Sequence, residues 1–179
     1  MIPDEELYRR WLSGDEEGLR VLMERYGDRL TLYLDGYVRD LHEGEDLMIE
    51  AFAWIIAKRP AIRAGGFRAY LFQAGRRMAL RQAKKRRSRP CFSLEELERE
   101  PESALLVEEL AESAERARIL RRCMEELHGP YREALFLVYF EGLSHREAAA
   151  VLKKSEKQVA ELIYRGKNAL RKRLEEEGI

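Results

Sequence analysis

Residues 144–173 read SHREAAAVLKKSEKQVAELIYRGKNALRKR and contain two helix starts close together. Ser144 and Ser155 each stand three residues before a Glu or Gln, which is the spacing of a capping box. Alanines at 148–150 allow a close approach between the two helices. An apolar stripe of helical period runs along the second helix, formed by Val159, Ile163, Gly166 and Leu170. We therefore predict two capped helices joined by a tight turn, the helix-turn-helix pattern of many DNA-binding proteins.

The charged residues of this 179-residue chain are sorted into blocks, although its formal net charge is zero. Between Ala51 and Leu94 there is no Asp or Glu, but there are twelve Lys and Arg residues. Residues 153–173 hold eight bases and two acids, whereas residues 95–115 hold nine acids and one base. Two basic blocks of this size favour contact with a polyanion such as nucleic acid. The alternative, a merely solvated basic face, is the weaker interpretation for the acid-free block.

The composition argues against several classes of protein. Cys91 and Cys123 form neither a CxxC motif nor a paired metal spacing, which favours a reducing compartment over a disulfide scaffold or zinc site. The three histidines are scattered, with no nucleophile and base around them, so we expect no enzyme, no metal and no cofactor. No apolar run approaches the ~20 residues of a membrane span, and the N-terminus lacks a signal-peptide layout. We expect a cytoplasmic protein without membrane insertion.

The rest of the chain also follows helical spacing. Ser13 with Glu16 predicts a capping box at the start of the first long helix. Further helices are predicted over 44–58, ending at Arg59 before a proline, and over 67–87.

These helices predict an all-α protein made of two small helical domains. The acidic, proline-interrupted stretch after residue 90 predicts a linker over 91–118. It would join an N-terminal domain, 1–90, to a C-terminal domain, 119–179, which ends in the helix-turn-helix. The alternative is that 103–127 forms one amphipathic helix packed on a neighbour.

The segment LHGPYREALFLVYFEGLSHREAAAVLKKSEKQVAELIYRGKNALRKRL, 127–174, resembles the promoter-binding domain of bacterial sigma factors of the extracytoplasmic-function group. Residues 4–89 resemble the N-terminal domain of the same family. SGDEEGLRVLMERYGDRL is similar to its first helix, GEDLMIEAFAWI to its core-polymerase-binding helix, and GGFRAYLFQAGRRMALRQAKKRRSR to its promoter-melting helix. The resemblance implies a sigma factor that directs core RNA polymerase to promoters and assists DNA melting.

The resemblance also implies functional residues in the N-terminal domain. Contacts with core polymerase are expected from Glu45, Asp46, Ile49 and Glu50; the family usually has Gln where Ile49 stands. Contacts with the melted minus-ten element are expected from Arg63, Phe67, Arg68, Tyr70, Arg76, Arg77, Arg81, Lys84 and Lys85. The family commonly has Asn at position 77 and Asp at position 81, so both arginines favour phosphate contact over base-specific hydrogen bonding. Core packing is the alternative role for Tyr70.

In the second helix of the helix-turn-helix, the minus-thirty-five contacts are expected from Lys153, Lys154, Lys157, Gln158, Glu161, Arg165 and Lys167. Gln158 suits adenine and Glu161 suits cytosine. The family usually carries Lys, Ser and Arg at 160–162, whereas this chain has Ala, Glu and Leu, and we expect Leu162 to face outward.

The partners implied are core RNA polymerase, promoter DNA and an anti-sigma factor, and the free protein is expected to be a monomer. The weakened face at 160–162 keeps an alternative open. That alternative is a sigma-like interaction protein that binds polymerase or an anti-sigma factor and reads promoters weakly or not at all.

Overall fold

The computed structural model describes residues 1–86 and 107–178. Within these ranges the chain is all-α, as predicted, with no strand. The helices are α1 Asp4–Leu12, α2 Glu16–Val38, α3 Leu41–Lys58, α4 Phe67–Lys85, α5 Val107–Glu125, α6 Gly129–Leu135, α7 His145–Leu152 and α8 Glu156–Glu176; α6 continues into a π-helical segment, Phe136–Phe140.

Helices α1–α4, here called the N-terminal unit, pack around the long helix α2. The predicted capping box at Ser13 is wrong. Asp15 caps α2 instead, because its side chain accepts a hydrogen bond from the Glu17 amide at 3.1 Å. Ser13 ends α1, and its hydroxyl donates to the Arg10 carbonyl at 2.7 Å. Helix α3 ends at Arg59 as predicted.

Two glycines allow the helices of the N-terminal unit to cross closely. A Cβ at Gly18 would lie 2.2 Å from the Leu7 carbonyl oxygen, where α1 meets α2. A Cβ at Gly44 would lie 2.9 Å from the Thr31 carbonyl oxygen, where α3 meets α2. The absence of a side chain at these positions therefore sets the distance between neighbouring helix axes.

Helices α5–α8, here called the C-terminal unit, contain the helix-turn-helix. Helix α5 begins at Val107, so residues 107–118 of the predicted linker are helical, in line with the alternative of one longer helix. Residues 91–106 lie outside the described part of the chain. Two surface ion pairs join the C-terminal ends of α5 and α8, Arg122 with Glu177 and Arg173 with Glu126, in which each glutamate directly follows its helix. Across both described ranges, no helix is long and apolar enough to cross a membrane.

The two units pack against each other through α4 and α7, and through α2, whose Tyr33 donates a hydrogen bond to Glu133 of α6. Tyr33 of α2 is fully buried at this contact, stacked on Phe136 with ring centroids 5.8 Å apart and tilted against Phe72 at 5.3 Å. The apolar core is therefore continuous between the units.

Candidate nucleic-acid interface

The turn of the helix-turn-helix is built by its capping residues. Ser144 and Ser155 both form the predicted capping boxes, with Glu147 and Gln158 respectively. Helix α7 ends at Leu152 and is followed by Lys153, whose φ of 53° lies in the left-handed region. A residue with a Cβ is disfavoured in this region, so the backbone at Lys153 is strained. Its side chain adds a positive charge to the turn.

The outward face of α8 carries a line of residues at positions i, i+4 and i+7. They are Lys157, Glu161 and Tyr164, and all three are exposed. Tyr164, whose exposed fraction is 66%, was missed by the sequence reasoning, although its spacing from Lys157 could have revealed it. Leu162 lies on this face only in part, because its side chain is partly buried and packs on the core, whereas Ala160 is exposed.

Several polar groups of α8 already have partners within the chain. Glu161 accepts a hydrogen bond from Arg165 Nε at 2.6 Å, so the expected cytosine contact competes with a neighbouring guanidinium. The side-chain oxygen of Gln158 accepts a hydrogen bond from the Ser155 amide at 2.9 Å. To contact adenine with both its side-chain oxygen and its side-chain nitrogen, Gln158 has to give up this capping hydrogen bond. Lys167 lies over the ring of Tyr139, 4.9 Å from its centroid. Lys153, Lys154 and Lys157 are exposed.

A cleft of about 580 Å³ borders this face, between the start of α6 and the first turns of α8. Its walls include Tyr131, Lys154 and Leu162. The outward face of α8 is therefore a basic surface with one prominent aromatic ring and a partly apolar edge.

Helix α4 places its expected DNA-binding residues on different sides. Arg77, Arg81, Lys84 and Lys85 are exposed, and so is Arg63 in the loop before the helix. Tyr70 is partly buried against the core, which fits the alternative role of packing. Phe67 is 1% exposed and packs against Tyr8 and Tyr26, with ring centroids 5.4 and 6.2 Å away. Its ring is part of the core in this structure and does not reach a DNA base.

Arg68 and Arg76 extend from α4 to the C-terminal unit. Arg68 donates to the carbonyl oxygens of Glu141 at 2.8 Å and Gly142 at 3.2 Å. Arg76 Nε lies 2.9 Å from a carboxylate oxygen of Glu133 and 3.1 Å from the Tyr37 hydroxyl. Arg77 lies on the exposed side, with its guanidinium carbon over the Trp54 ring and 5.1 Å from the ring centroid.

Two carboxyl groups of the C-terminal unit are buried at this contact. Burial raises the pKa of Glu133 to about 7. The Tyr33 hydroxyl, which donates a hydrogen bond to its carboxylate at 2.7 Å, acts in the opposite direction and lowers this pKa. Burial also raises the pKa of Glu141. Arg29, whose Nε lies 3.2 Å from the Glu141 carboxylate, lowers this pKa in part. Neither residue was among the sequence-predicted sites.

The surface expected to meet polymerase lies on α3. Glu45, Asp46 and Glu50 are exposed. Ile49 is 52% exposed and Ile56, about two turns further on, is 46% exposed. Large apolar side chains that remain this exposed, rimmed by charges, are typical of a protein-binding surface. Among the described residues, no cluster of His, Cys, Asp and Glu has the arrangement of a metal site.

Known proteins resemble this chain at both levels, sequence and fold. Residues 117–170 match the family model of sigma-70, region 4. The ECF RNA polymerase sigma factor SigM of Bacillus subtilis is 25% identical over 150 residues, which cover 84% of this chain and 91% of that protein.

Two solved structures share the fold. One is CnrH in complex with the cytosolic domain of CnrY, with a TM-score of 0.63, 24% identity and coverage of 96% of this chain and 97% of that one. The other is the sigma factor RpoE in complex with the anti-sigma factor NepR from Bartonella quintana, with a TM-score of 0.63, 18% identity and coverage of 87% and 96%. The chain is therefore similar to sigma factors in two ways: residues 117–170 match sigma-70 region 4, and similarity to an extracytoplasmic-function sigma factor extends along most of its length.

Proposed function

We propose that this chain is a cytoplasmic sigma factor of the extracytoplasmic-function type, which brings core RNA polymerase to promoters and helps to melt the DNA. The observation that carries the proposal is the region 4 match over a helix-turn-helix whose second helix presents an exposed basic and aromatic face. It is not proposed to have a catalytic activity of its own.

The division of labour follows the two units. The N-terminal unit would bind polymerase through α3 and the minus-ten element through α4, and the C-terminal unit would bind the minus-thirty-five element through α8. The exposed cations on α4, namely Arg77, Arg81, Lys84 and Lys85, suit phosphates of the separated strand. On α8, Lys153, Lys154 and Lys157 suit phosphates, and Tyr164 suits a base or sugar.

The exposed side of α3 supports docking on polymerase. Ile49 and Ile56 offer apolar area that binding would bury, while Glu45, Asp46 and Glu50 surround it with negative charge that can steer a basic partner. An anti-sigma factor is a further expected partner, since the RpoE structure that shares this fold is a complex with one.

A binding measurement with purified core RNA polymerase tests the docking surface. Ile49→Glu should weaken the complex by at least tenfold, because it places a charge in the centre of a buried contact. Met23→Glu is the control, since it places the same charge at an exposed apolar residue of α2. Equal affinities for the Ile49 and Met23 variants would exclude α3 as the polymerase-binding surface.

The second candidate function is a sigma-like interaction protein that reads promoters weakly. One observation favours it: Glu161 and Gln158, the two expected base readers, are occupied by Arg165 and by the helix cap. A chain that binds core polymerase but directs no promoter-dependent transcript would have this function.

A further inference from the structure

The C-terminal end of α3 carries an aromatic ring that neither the polymerase-binding set nor the DNA-binding set includes. Trp54 is partly buried, and its ring is in contact with two cations. Lys58 Nζ lies 5.4 Å from the ring centroid, and the Arg77 guanidinium carbon lies 5.1 Å from it. Both cations are exposed. The ring therefore brings one cation of α3 and one cation of α4 to the same place on the surface.

No acid neutralises these two cations. Neither Lys58 nor Arg77 forms an ion pair or a hydrogen bond with an oxygen atom in the part of the chain that the structure describes. The nearest acid along α3 is Glu50, about one turn before Trp54, and the chain has no Asp or Glu from Ala51 to Leu94. Two like charges held beside one ring repel each other, and an anion bound next to both would remove that repulsion.

The indole N–H of Trp54 also lacks an acceptor. Its nitrogen is buried and has no hydrogen-bond partner among residues 1–86 and 107–178. Lys58 and Arg77, which lie beside the ring, can only donate hydrogen bonds. These three residues, here called the Trp54 cluster, therefore present donors alone. The acceptor that suits them has to come from a partner, and DNA phosphate oxygens are acceptors of this kind.

The Trp54 cluster lies on a different side of α3 from the surface expected to bind polymerase. Ile49 and Ile56 are seven residues apart and share one side of the helix. Trp54 precedes Ile56 by two residues, which places it about 200° away around the helix axis. Helix α3 can therefore contact polymerase with its isoleucines while its other side faces DNA.

We propose that the Trp54 cluster is part of the DNA-binding surface: Arg77 and Lys58 bind the phosphate backbone of the separated strand, and Trp54 is a positioning residue that holds the Arg77 guanidinium for this contact. The proposal rests on the proposed role of α4 in DNA binding. Contact with an aromatic face restricts an arginine side chain before DNA arrives, so less conformational freedom is lost on binding. The DNA-binding surface then extends from α4 onto the end of α3.

Replacing the ring while every charge stays in place tests the positioning role. The binding of the full chain to a fluorescein-labelled single-stranded oligodeoxynucleotide of mixed sequence is measured by fluorescence anisotropy. Arg77→Gln should weaken binding by about fivefold or more, because a hydrogen-bonded charge pair is lost. It should also make the slope of log K against log salt less steep by about 0.7, the value for one phosphate on a single strand.

Trp54→Leu keeps all charges but should still weaken this binding, by about two- to fivefold, which is the strength of an exposed cation–π contact. Trp54→Phe retains an aromatic face and should recover most of the affinity. If Trp54 acts through Arg77, Trp54→Leu changes the affinity by less than about 1.5-fold once Arg77→Gln is also present. Fully additive losses, or a Trp54→Leu chain that binds like the unsubstituted chain, would overturn the proposal.

Lys58→Gln tests the second cation against a matched control. It should weaken binding and reduce the salt dependence, as Arg77→Gln does. Arg20→Gln removes an exposed α2 arginine that is paired with two glutamates of its own helix, and it should leave the affinity nearly unchanged. Equal affinities for the Lys58→Gln and Arg20→Gln chains would contradict the proposed site.

Binding to core RNA polymerase shows which partner the Trp54 cluster serves. The Trp54→Leu chain should bind core polymerase with the affinity of the unsubstituted chain, because the ring lies on the other side of α3 from Ile49 and Ile56. A loss of polymerase binding with unchanged DNA affinity would assign the cluster to the polymerase contact and overturn the proposal.

Failure of the underlying DNA-binding role gives a different pattern. Lys84 is exposed on α4, about two turns beyond Arg77 and outside the Trp54 cluster. If neither Lys84→Gln nor Arg77→Gln changes the affinity for the oligodeoxynucleotide, α4 does not bind DNA and its proposed function fails. If Lys84→Gln weakens binding but the Trp54 and Lys58 variants do not, the Trp54 cluster alone is excluded from the DNA-binding surface.

Discussion

Glu133 is a carboxyl group buried between the two units, and its ionisation should make the stability of the chain depend on pH. The groups that act on it are the Tyr33 hydroxyl of α2, the Arg76 guanidinium of α4, and the charge of Lys154 in the turn before α8. Burial raises its pKa from 4.5 to about 7. Because the folded chain holds this proton more tightly than the unfolded chain, the contribution to stability is full below pH 4.5 and is lost as the pH rises to about 7.

The size of this effect follows from the change in pKa. A difference of one pKa unit corresponds to about 1.4 kcal/mol, so the loss amounts to at most about 3 kcal/mol over this range. The Arg76 guanidinium at 2.9 Å stabilises the charged carboxylate and makes the loss smaller. Glu133→Gln keeps the shape of the side chain and removes the titration.

Urea unfolding followed by circular dichroism, from pH 5 to pH 8, measures the difference. The free energy of unfolding of the Glu133→Gln chain should rise relative to the unsubstituted chain as the pH increases, by up to about 3 kcal/mol. Glu24→Gln removes an exposed carboxylate from α2 and controls for the change in net charge. Parallel pH profiles for the Glu133→Gln chain and the unsubstituted chain would refute the reasoning, because they would mean that Glu133 keeps the same protonation in the folded and unfolded states.

Three further predictions concern packing, the turn and the face of α8. Gly18→Ala should lower the free energy of unfolding by more than about 2 kcal/mol, since the new Cβ would lie 2.2 Å from the Leu7 carbonyl oxygen. Gly129→Ala is the control and should have little effect, because a Cβ there would meet no atom within 4 Å. Lys153→Gly should raise the free energy of unfolding, measured with urea, by roughly 0.5–1 kcal/mol, because glycine tolerates the positive φ. It should also make DNA binding less dependent on salt, because it removes a cation. An unchanged stability would mean that the turn is not strained. Ala160→Lys should tighten the binding of the chain, in complex with polymerase, to a minus-thirty-five fragment and steepen the salt dependence of that binding. Tyr164→Ala should weaken the same binding without changing the melting temperature of the chain. If both variants bind the fragment with the affinity of the unsubstituted chain, this face does not contact DNA.

The helix-turn-helix could be predicted from sequence because its determinants are local. Each capping box joins residues three apart, and both formed as expected at Ser144 and Ser155. The same rule failed at Ser13 because Ser13 itself caps the end of α1, and a second capping residue, Asp15, lies two positions later, after Gly14 with its φ of 105°. Two adjacent cap candidates cannot be ranked without knowing where the preceding helix stops.

The side-chain roles that depend on contacts between distant parts of the chain could not be predicted. Leu162 has a position at the edge of the α8 stripe, and only the packing of the neighbouring helices makes it partly buried. The pair formed by Arg76 and Glu133 joins residues 57 positions apart, and Arg68 reaches a carbonyl 73 positions away. A hint was present in YREALFLVYFEG, where Arg132, Glu133 and Glu141 are the only charged residues of a largely apolar stretch and therefore need partners when they are buried.

Promoter-dependent transcription is the measurement that tests the central claim most directly. The purified chain is added to core RNA polymerase on a library of genomic promoter fragments, and the transcripts are mapped to their start sites. A sigma factor produces transcripts from a defined subset of fragments that share spaced upstream and minus-ten sequences, and these transcripts are absent with core polymerase alone. Stable binding to core polymerase with no chain-dependent transcript from any fragment would contradict the claim and would leave the sigma-like interaction protein.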